Sequence, residues 1–297
     1  MSPSAPPARY WLSPLLLGGV VLLCLGAWFW LRPSPDAPTS PTGLPPGVEA
    51  KLTPAGEKLR DAIHAQLQRR YAEADALFLE AQTGDPLLRG IDYQRAVGQF
   101  NLHNFAAARA LARTSIDKGE EVAASHILLG TMHGVANDHA AALLEFMQAS
   151  EAQPENPLPR YNMSESLRHL GRAADAIIAL RGAMQANPGE VLYAFKFRLA
   201  RIEAGQEKEL EADIHAQLAA RPPAGDWILT AAAISLRHER FAEAAGLMSA
   251  ARQVMQPGLF FALIQDRLFS AHRLRPEIAP FYDVQITQPG DAAPSKP

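Results

Sequence analysis

Cysteine is nearly absent: Cys24 is the single one among 297 residues, so no intrachain disulfide can form and no cysteine-rich zinc knuckle can be built. A basic excess is missing too. Lys and Arg total 28 against 31 Asp and Glu, a formal net charge of -3, with no dense cationic stripe; that sets nucleic-acid binding aside. There is no glycine-rich phosphate loop, no zinc-protease helix and no nucleophile elbow. Paired catalytic carboxylates are also lacking. The acids that cluster, Asp117 with Glu120 and Glu207 with Glu209 and Glu211, fall at turns or on solvated helix faces, and Glu145 is expected to point outward. His126, His133 and His139 stand on packing positions rather than in a metal-ligating constellation with Asp138. The expectation is a chain that is not an enzyme and carries no metal or cofactor.

What is present begins with an uncharged run, WLSPLLLGGVVLLCLGAWFWL, over residues 11–31. As a helix it rises roughly 32 Å, about one hydrocarbon core. Tyr10 and Trp11 mark one margin and Trp28, Phe29 and Trp30 the other, where amphipathic rings suit the headgroup level. The spacing predicts a transmembrane helix after a short tail, residues 1–10. A cleaved signal peptide is the competing reading, but it calls for a shorter apolar core with small residues before the cut. A lipoprotein signal would need small residues ahead of Cys24, where Leu22 and Leu23 stand. Residues 32–54 follow as a Pro/Ser/Thr-rich linker that cannot bury a core. Arg9 against Arg32 leans slightly toward a cytoplasmic N-terminus. The expectation is therefore a single-pass protein of a plasma or inner membrane, with its C-terminal domain outside the cytoplasm.

The body of the chain has a period of 34 residues. Ala74, Phe78, Ala81 and Pro86 set the pattern, and stepping by that interval gives Ala108, Ala112, Ser115 and Glu120, then Ala142, Phe146, Ala149 and Pro154. Ala176, Leu180, Ala183 and Pro188 follow, then Leu210, Ile214, Gln217 and Pro222, and last Ala244, Met248, Ala251 and Gln256. Six segments hold one register with no insertion. Offsets of four and seven share one stripe of a helix, and a proline beyond it closes the helix. A single pair of helices cannot bury such a stripe; stacked pairs can.

These segments resemble the tetratricopeptide repeat family. Its leucine–glycine–aromatic pattern is met by Leu129 and Gly130, with His133 in the aromatic place, and by Met163, Ser164 and Leu167 one unit on. The turn glycine is Gly171 and Gly205, replaced by Arg69, His103, Asn137 and Glu239 elsewhere. An aromatic opens the second helix at Tyr71, Phe105 and Phe241. The resemblance covers residues 55–258 and implies an all-α, right-handed superhelical solenoid of about six hairpins. The fifth unit is the weakest, with Arg198 and Arg201 where packing residues are expected. Residues 259–283 read as a capping helix over 259–273 with a short extension, and 284–297 as a disordered tail.

In proteins of that family the first helices line a concave groove, which implies a protein- or peptide-binding scaffold or adaptor tethered through residues 11–31. Stepping by the repeat places Leu59, Tyr93, Ile127, Tyr161, Phe195 and Leu229 in one column on that face, and Ile63, Val97, Thr131, Glu165, Leu199 and Ala233 in a second. Phe100, Arg168 and His169 belong to the neighbouring columns. The expected partner contacts are Tyr93, Phe100, Tyr161, Glu165, Arg168, His169, Phe195 and Leu199. They suit a protein or peptide with apolar or aromatic anchors, with Arg168 offering one anionic contact. Two alternatives stand beside this reading: self-association into a homo-oligomer, and an accessory subunit of a membrane enzyme or assembly complex. The same residues can equally be helix-packing core.

Overall fold

The computed structural model describes residues 53–283. The expected membrane helix at 11–31, most of the linker and the tail from 284 lie outside the described residues. Among those that are described, no helix is long and apolar enough to cross a membrane, and no strand occurs.

Twelve helices alternate as first and second members of successive pairs. They are α1 (Pro54–Leu67), α2 (Tyr71–Gly84), α3 (Ile91–Asn101), α4 (Phe105–Asp117), α5 (Val122–Val135) and α6 (His139–Ala152). The second six are α7 (Pro157–His169), α8 (Ala173–Ala186), α9 (Val191–Glu203), α10 (Lys208–Ala219), α11 (Gly225–Arg237) and α12 (Phe241–Val254). The chain divides into two compact units between Gly171 and Arg172, within the turn that joins α7 to α8. In unit 1, α1 packs on α2, α3 on α4 and α5 on α6, and each pair also meets the next helix along the chain. In unit 2, α8 packs on α9, α9 and α10 on α11, and α11 on α12.

Local chemistry sets the starts. Thr53, Asp138, Asn156 and Glu190 each accept a backbone N–H of the first turn through the side chain. Pro54 and Pro157 sit where a missing N–H costs little. The stops carry the clearest repeat. Positive φ occurs at Arg69, His103, Asn137, Gly171, Gly205 and Glu239, six positions 34 residues apart. At five of the six turns the following N–H reaches five residues back, as Arg70 to Ala65, Asn104 to Gln99 and Arg240 to Ser235, closing a left-handed helix cap. The turn that the family resemblance fills with glycine is thus present in every unit, glycine or not.

The 34-residue register is a packing register. Ala74, Ala108, Ala142, Ala176, Leu210 and Ala244 are 1% exposed or less, and Phe78, Phe146, Leu180 and Met248 are buried beside them. In the third pair, a Cβ at Gly130 of α5 would stand 2.6 Å from the Phe146 ring of α6, so only glycine fits. The fifth pair departs from the pattern: Gln217 is only half-buried and α10 packs mainly on α11.

The expected single capping helix over 259–273 is broken. Pro257–Ile264 forms α13 and Arg267–Ser270 a short α14, with a 3-10 turn at Ala279–Phe281. The break lies at Asp266, which is extended (ψ 146), accepts the Leu268 N–H and pairs with Lys196. A carboxylate committed to both partners cannot continue the helix.

Two outcomes test this account. A non-glycine residue in the left-handed region costs ~1–2 kcal/mol, partly offset by the freedom glycine has when unfolded. Arg69→Gly and Glu239→Gly are each expected to stabilise by about 0.5 kcal/mol and Gly171→Ala to destabilise by about 1 kcal/mol in urea unfolding. Gly130→Ala is expected to cost about 1–3 kcal/mol through overpacking, and Phe146→Leu in the same chain should return much of it. Additive losses in that double variant would refute the contact.

Candidate functional site

In unit 1 the face expected to meet a partner is carried by α1, α3, α5 and α7. Ile63, Leu67 and Val135 are 44%, 67% and 41% exposed, large apolar side chains left open on it. The polar residues between them bond within the unit: Asn101 Nδ2 donates to the Val97 carbonyl, Thr131 Oγ1 to the Ile127 carbonyl, and Gln66 Nε2 to Gln94 Oε1. Their hydrogen-bonding capacity is partly spent inside the unit. Tyr93 is half-buried, and its phenol is pushed up to about 12 by desolvation, with the Glu121 carboxylate adding to the shift. It stays a neutral hydroxyl at physiological pH.

Other expected contacts on this unit have a different place. Phe100 is 4% exposed and meets Phe105 edge-on at 5.7 Å, in a cluster with Ala96, Ala108 and Leu129. Tyr161 is 3% exposed. Both are core, not accessible anchors, because the close helix approach that makes the fold takes up their surface. Arg168 does not offer an anionic contact: it is 1% exposed, and its Nη1 lies 3.0 Å from Glu165. A buried guanidinium is held by a paired carboxylate, here one whose own side chain keeps 29% of its surface exposed. His169 is exposed and stacks on His139, ring centroids 4.1 Å apart and nearly parallel.

In unit 2 the corresponding face is covered by the chain itself. Phe195 and Leu199 on α9 are fully buried, so the expectation that they await a partner is corrected. Phe269, also fully buried, lies 6.2 Å from the Phe195 ring. Lys196 Nζ donates to Asp266 at 2.6 Å, both side chains almost wholly enclosed, and Arg267 Nε donates to Glu203 at 2.8 Å. Arg275 rests 4.6 Å over the Phe241 ring, and the Tyr282 hydroxyl donates to the Ile264 carbonyl. Arg198, the residue expected to disturb the fifth unit, is buried with Asp226 and Thr230 as partners and lies 4.1 Å over Trp227; burial lowers its pKa against the opposing pull of Asp226. Sequence reasoning missed Lys196 and Asp266. Their signal was charge set inside an apolar run, Lys196 in VLYAFKF and Asp266 with Arg267 in LFFALIQDRLF.

The remaining titratable groups sort into separate pairs. Glu145 was expected to point outward; it instead contacts His126 Nδ1 at 2.7 Å between α5 and α6. His133 lies 3.8 Å from Asp138. Among the described residues, no three His, Cys, Asp or Glu side chains are grouped to hold a metal. An open cleft of about 390 Å³ lies along Glu207, Glu211, Ile234, His238 and Arg240, where Glu207 already accepts from Arg237 and His238.

No family model matches the chain, and no curated protein does. Among solved structures, a tetratricopeptide repeat protein from Parabacteroides merdae is 14% identical, covering 73% of this chain and 84% of its own, with a TM-score of 0.48. YrrB, described as a TPR protein with an unusual peptide-binding site, is 17% identical over 66% of this chain and 96% of its own, at 0.46. MamA from AMB-1 is 17% identical over 53% and 86%, at 0.44. With every one of these scores below 0.5, the hairpin assignment rests on the chain's own helices and turns. What the chain is similar to here includes two proteins named for the tetratricopeptide repeat.

Proposed function

We propose that this chain is a membrane-tethered scaffold that binds a protein or peptide along the open face of unit 1, without catalysing a reaction. The observation that carries the reading is the exposure of Ile63, Leu67 and Val135 on the first-helix face, while Asn101 and Thr131 beside them already donate to carbonyls of their own helices. Large apolar side chains left in the open, Ile63 one turn before Leu67 and Val135 two repeats after it, suit an apolar helix or extended segment. Tyr93 adds a ring and a neutral hydroxyl donor. Tethering through residues 11–31 rests on the uncharged run and its aromatic margins. With that tether, and the solenoid outside the cytoplasm of a plasma or inner membrane, a partner in the same bilayer is met at raised local concentration, so a modest affinity suffices.

The test is site-specific photocrosslinking in native membranes. A crosslinker at Leu67 or Val135 is expected to give one discrete adduct, and a crosslinker at Leu144 on the outer side of α6 none. Leu67→Glu with Val135→Glu should cut the adduct about tenfold while leaving the melting temperature in place, since a buried charge is avoided at both exposed positions. Equal adducts from both sides of the unit would refute the reading. An adduct of twice the chain mass would move it to self-association.

A further inference from the structure

We infer that residues 44–48, Leu-Pro-Pro-Gly-Val, are the occupant of the first-helix face at α1, so that the chain shields Ile63 and Leu67 with its own linker. The inference rests on the scaffold reading above and names what a partner displaces at one end of that face. Residues 44–48 lie outside the described residues. Their chemistry and their distance along the chain from α1 both point to this face.

The chemistry is matched on the two sides. Ile63, Gln66 and Leu67 of α1 and Tyr93, Val97 and Asn101 of α3 bring no charge to the face. Residues 37–48 are uncharged as well, and Leu44 and Val48 are the only large aliphatic residues between Leu31 and Leu52. Pro45 and Pro46 have no N–H, so the stretch offers carbonyl acceptors and few donors. Tyr93, half-buried on α3, supplies a neutral hydroxyl as donor. Proline-rich segments are held in this way, by apolar and aromatic contacts, and they lose little conformational freedom on docking.

The lengths agree. α1 begins at Pro54, so Ile63 and Leu67 stand about 14 and 20 Å along it. Val48 and Leu44 precede Thr53 by five and nine residues. At ~3.1 Å per residue those stretches cover about 15 and 28 Å. A chain folded back along α1 therefore brings Val48 level with Ile63 and lets Leu44 reach Leu67. Thr53 enters the helix with φ -65 and ψ 158, close to polyproline backbone. So short a connection sets a millimolar effective concentration, ahead of any free segment of the same kind. A partner that spans the face of unit 1 competes with the linker at Ile63 and Leu67 but not at Val135, two repeats on. The shield lowers apparent affinity without closing the site.

The experiment uses the full chain in detergent micelles with Cys24→Ser, and follows disulfide closure under a mild oxidant by the loss of thiols reactive to a maleimide. Gly47→Cys paired with His64→Cys, an exposed position beside Ile63, is the test pair. Gly47→Cys paired with Ala76→Cys, an exposed position on α2 two repeats before Leu144, is the control. The test pair is expected to close about tenfold or more faster than the control. Leu44→Ser with Val48→Ser in the same chain should bring the first rate down to the second. Equal closure at the two positions, or closure that ignores the serine replacements, overturns the proposal. A disulfide-linked product of twice the chain mass overturns it too, since the segment then comes from a second copy. The partner adduct at Val135 is read on a chain without these cysteines. Its persistence alongside failure here leaves the scaffold reading standing and removes this one alone.

Discussion

The close approach of two helices across a column of small residues is the constraint on which the structure depends. Ala74, Ala142, Ala176 and Ala244 have essentially no exposed surface, and each leaves room for the bulky side chain one turn on, Phe78, Phe146, Leu180 and Met248. Two helices of thirteen or fourteen residues expose too much apolar surface to stand alone, so each pair is completed by the next. That requirement dictates the interval, the turn and the identity of the residues between them. Gly130 shows how tight it is: the Phe146 ring occupies the space in which any side chain would begin.

Where the column weakens, polar contacts take over. The fifth pair has Leu210 in place of alanine and a half-buried Gln217, and α10 packs mainly on α11. Around it stand the buried ion pairs of unit 2, Arg198 with Asp226 and Lys196 with Asp266. Such pairs add little net stability once desolvation is counted, but they are directional, and they hold particular segments in particular places. Asp266 does so most visibly, since it ends α13, starts α14 and orders the C-terminal segment over α9.

The same first-helix face therefore has two conditions in one chain. In unit 1 it leaves Ile63, Leu67 and Val135 exposed, beside polar groups bonded to their own helices. In unit 2 it is covered by residues 266–282 through one aromatic contact and two ion pairs.

The helices, their register and the turn between them were legible from residues alone, because a small–large stripe at offsets of four and seven, repeated every 34 residues, has only one way to bury itself. The left-handed turns at Arg69, His103, Asn137 and Glu239 followed from the same count, without a glycine to mark them. The face was legible as a set of positions but not as a state. Whether Phe195 lies open depends on which other segment reaches it, and its contact with Phe269 joins residues far apart in the chain. Periodicity reports which side of a helix a residue occupies; only the folded chain decides what covers that side. Glu145 with His126 and Lys196 with Asp266 are of this second kind, since each charge finds its partner on another helix, through distance in space and not through spacing in sequence.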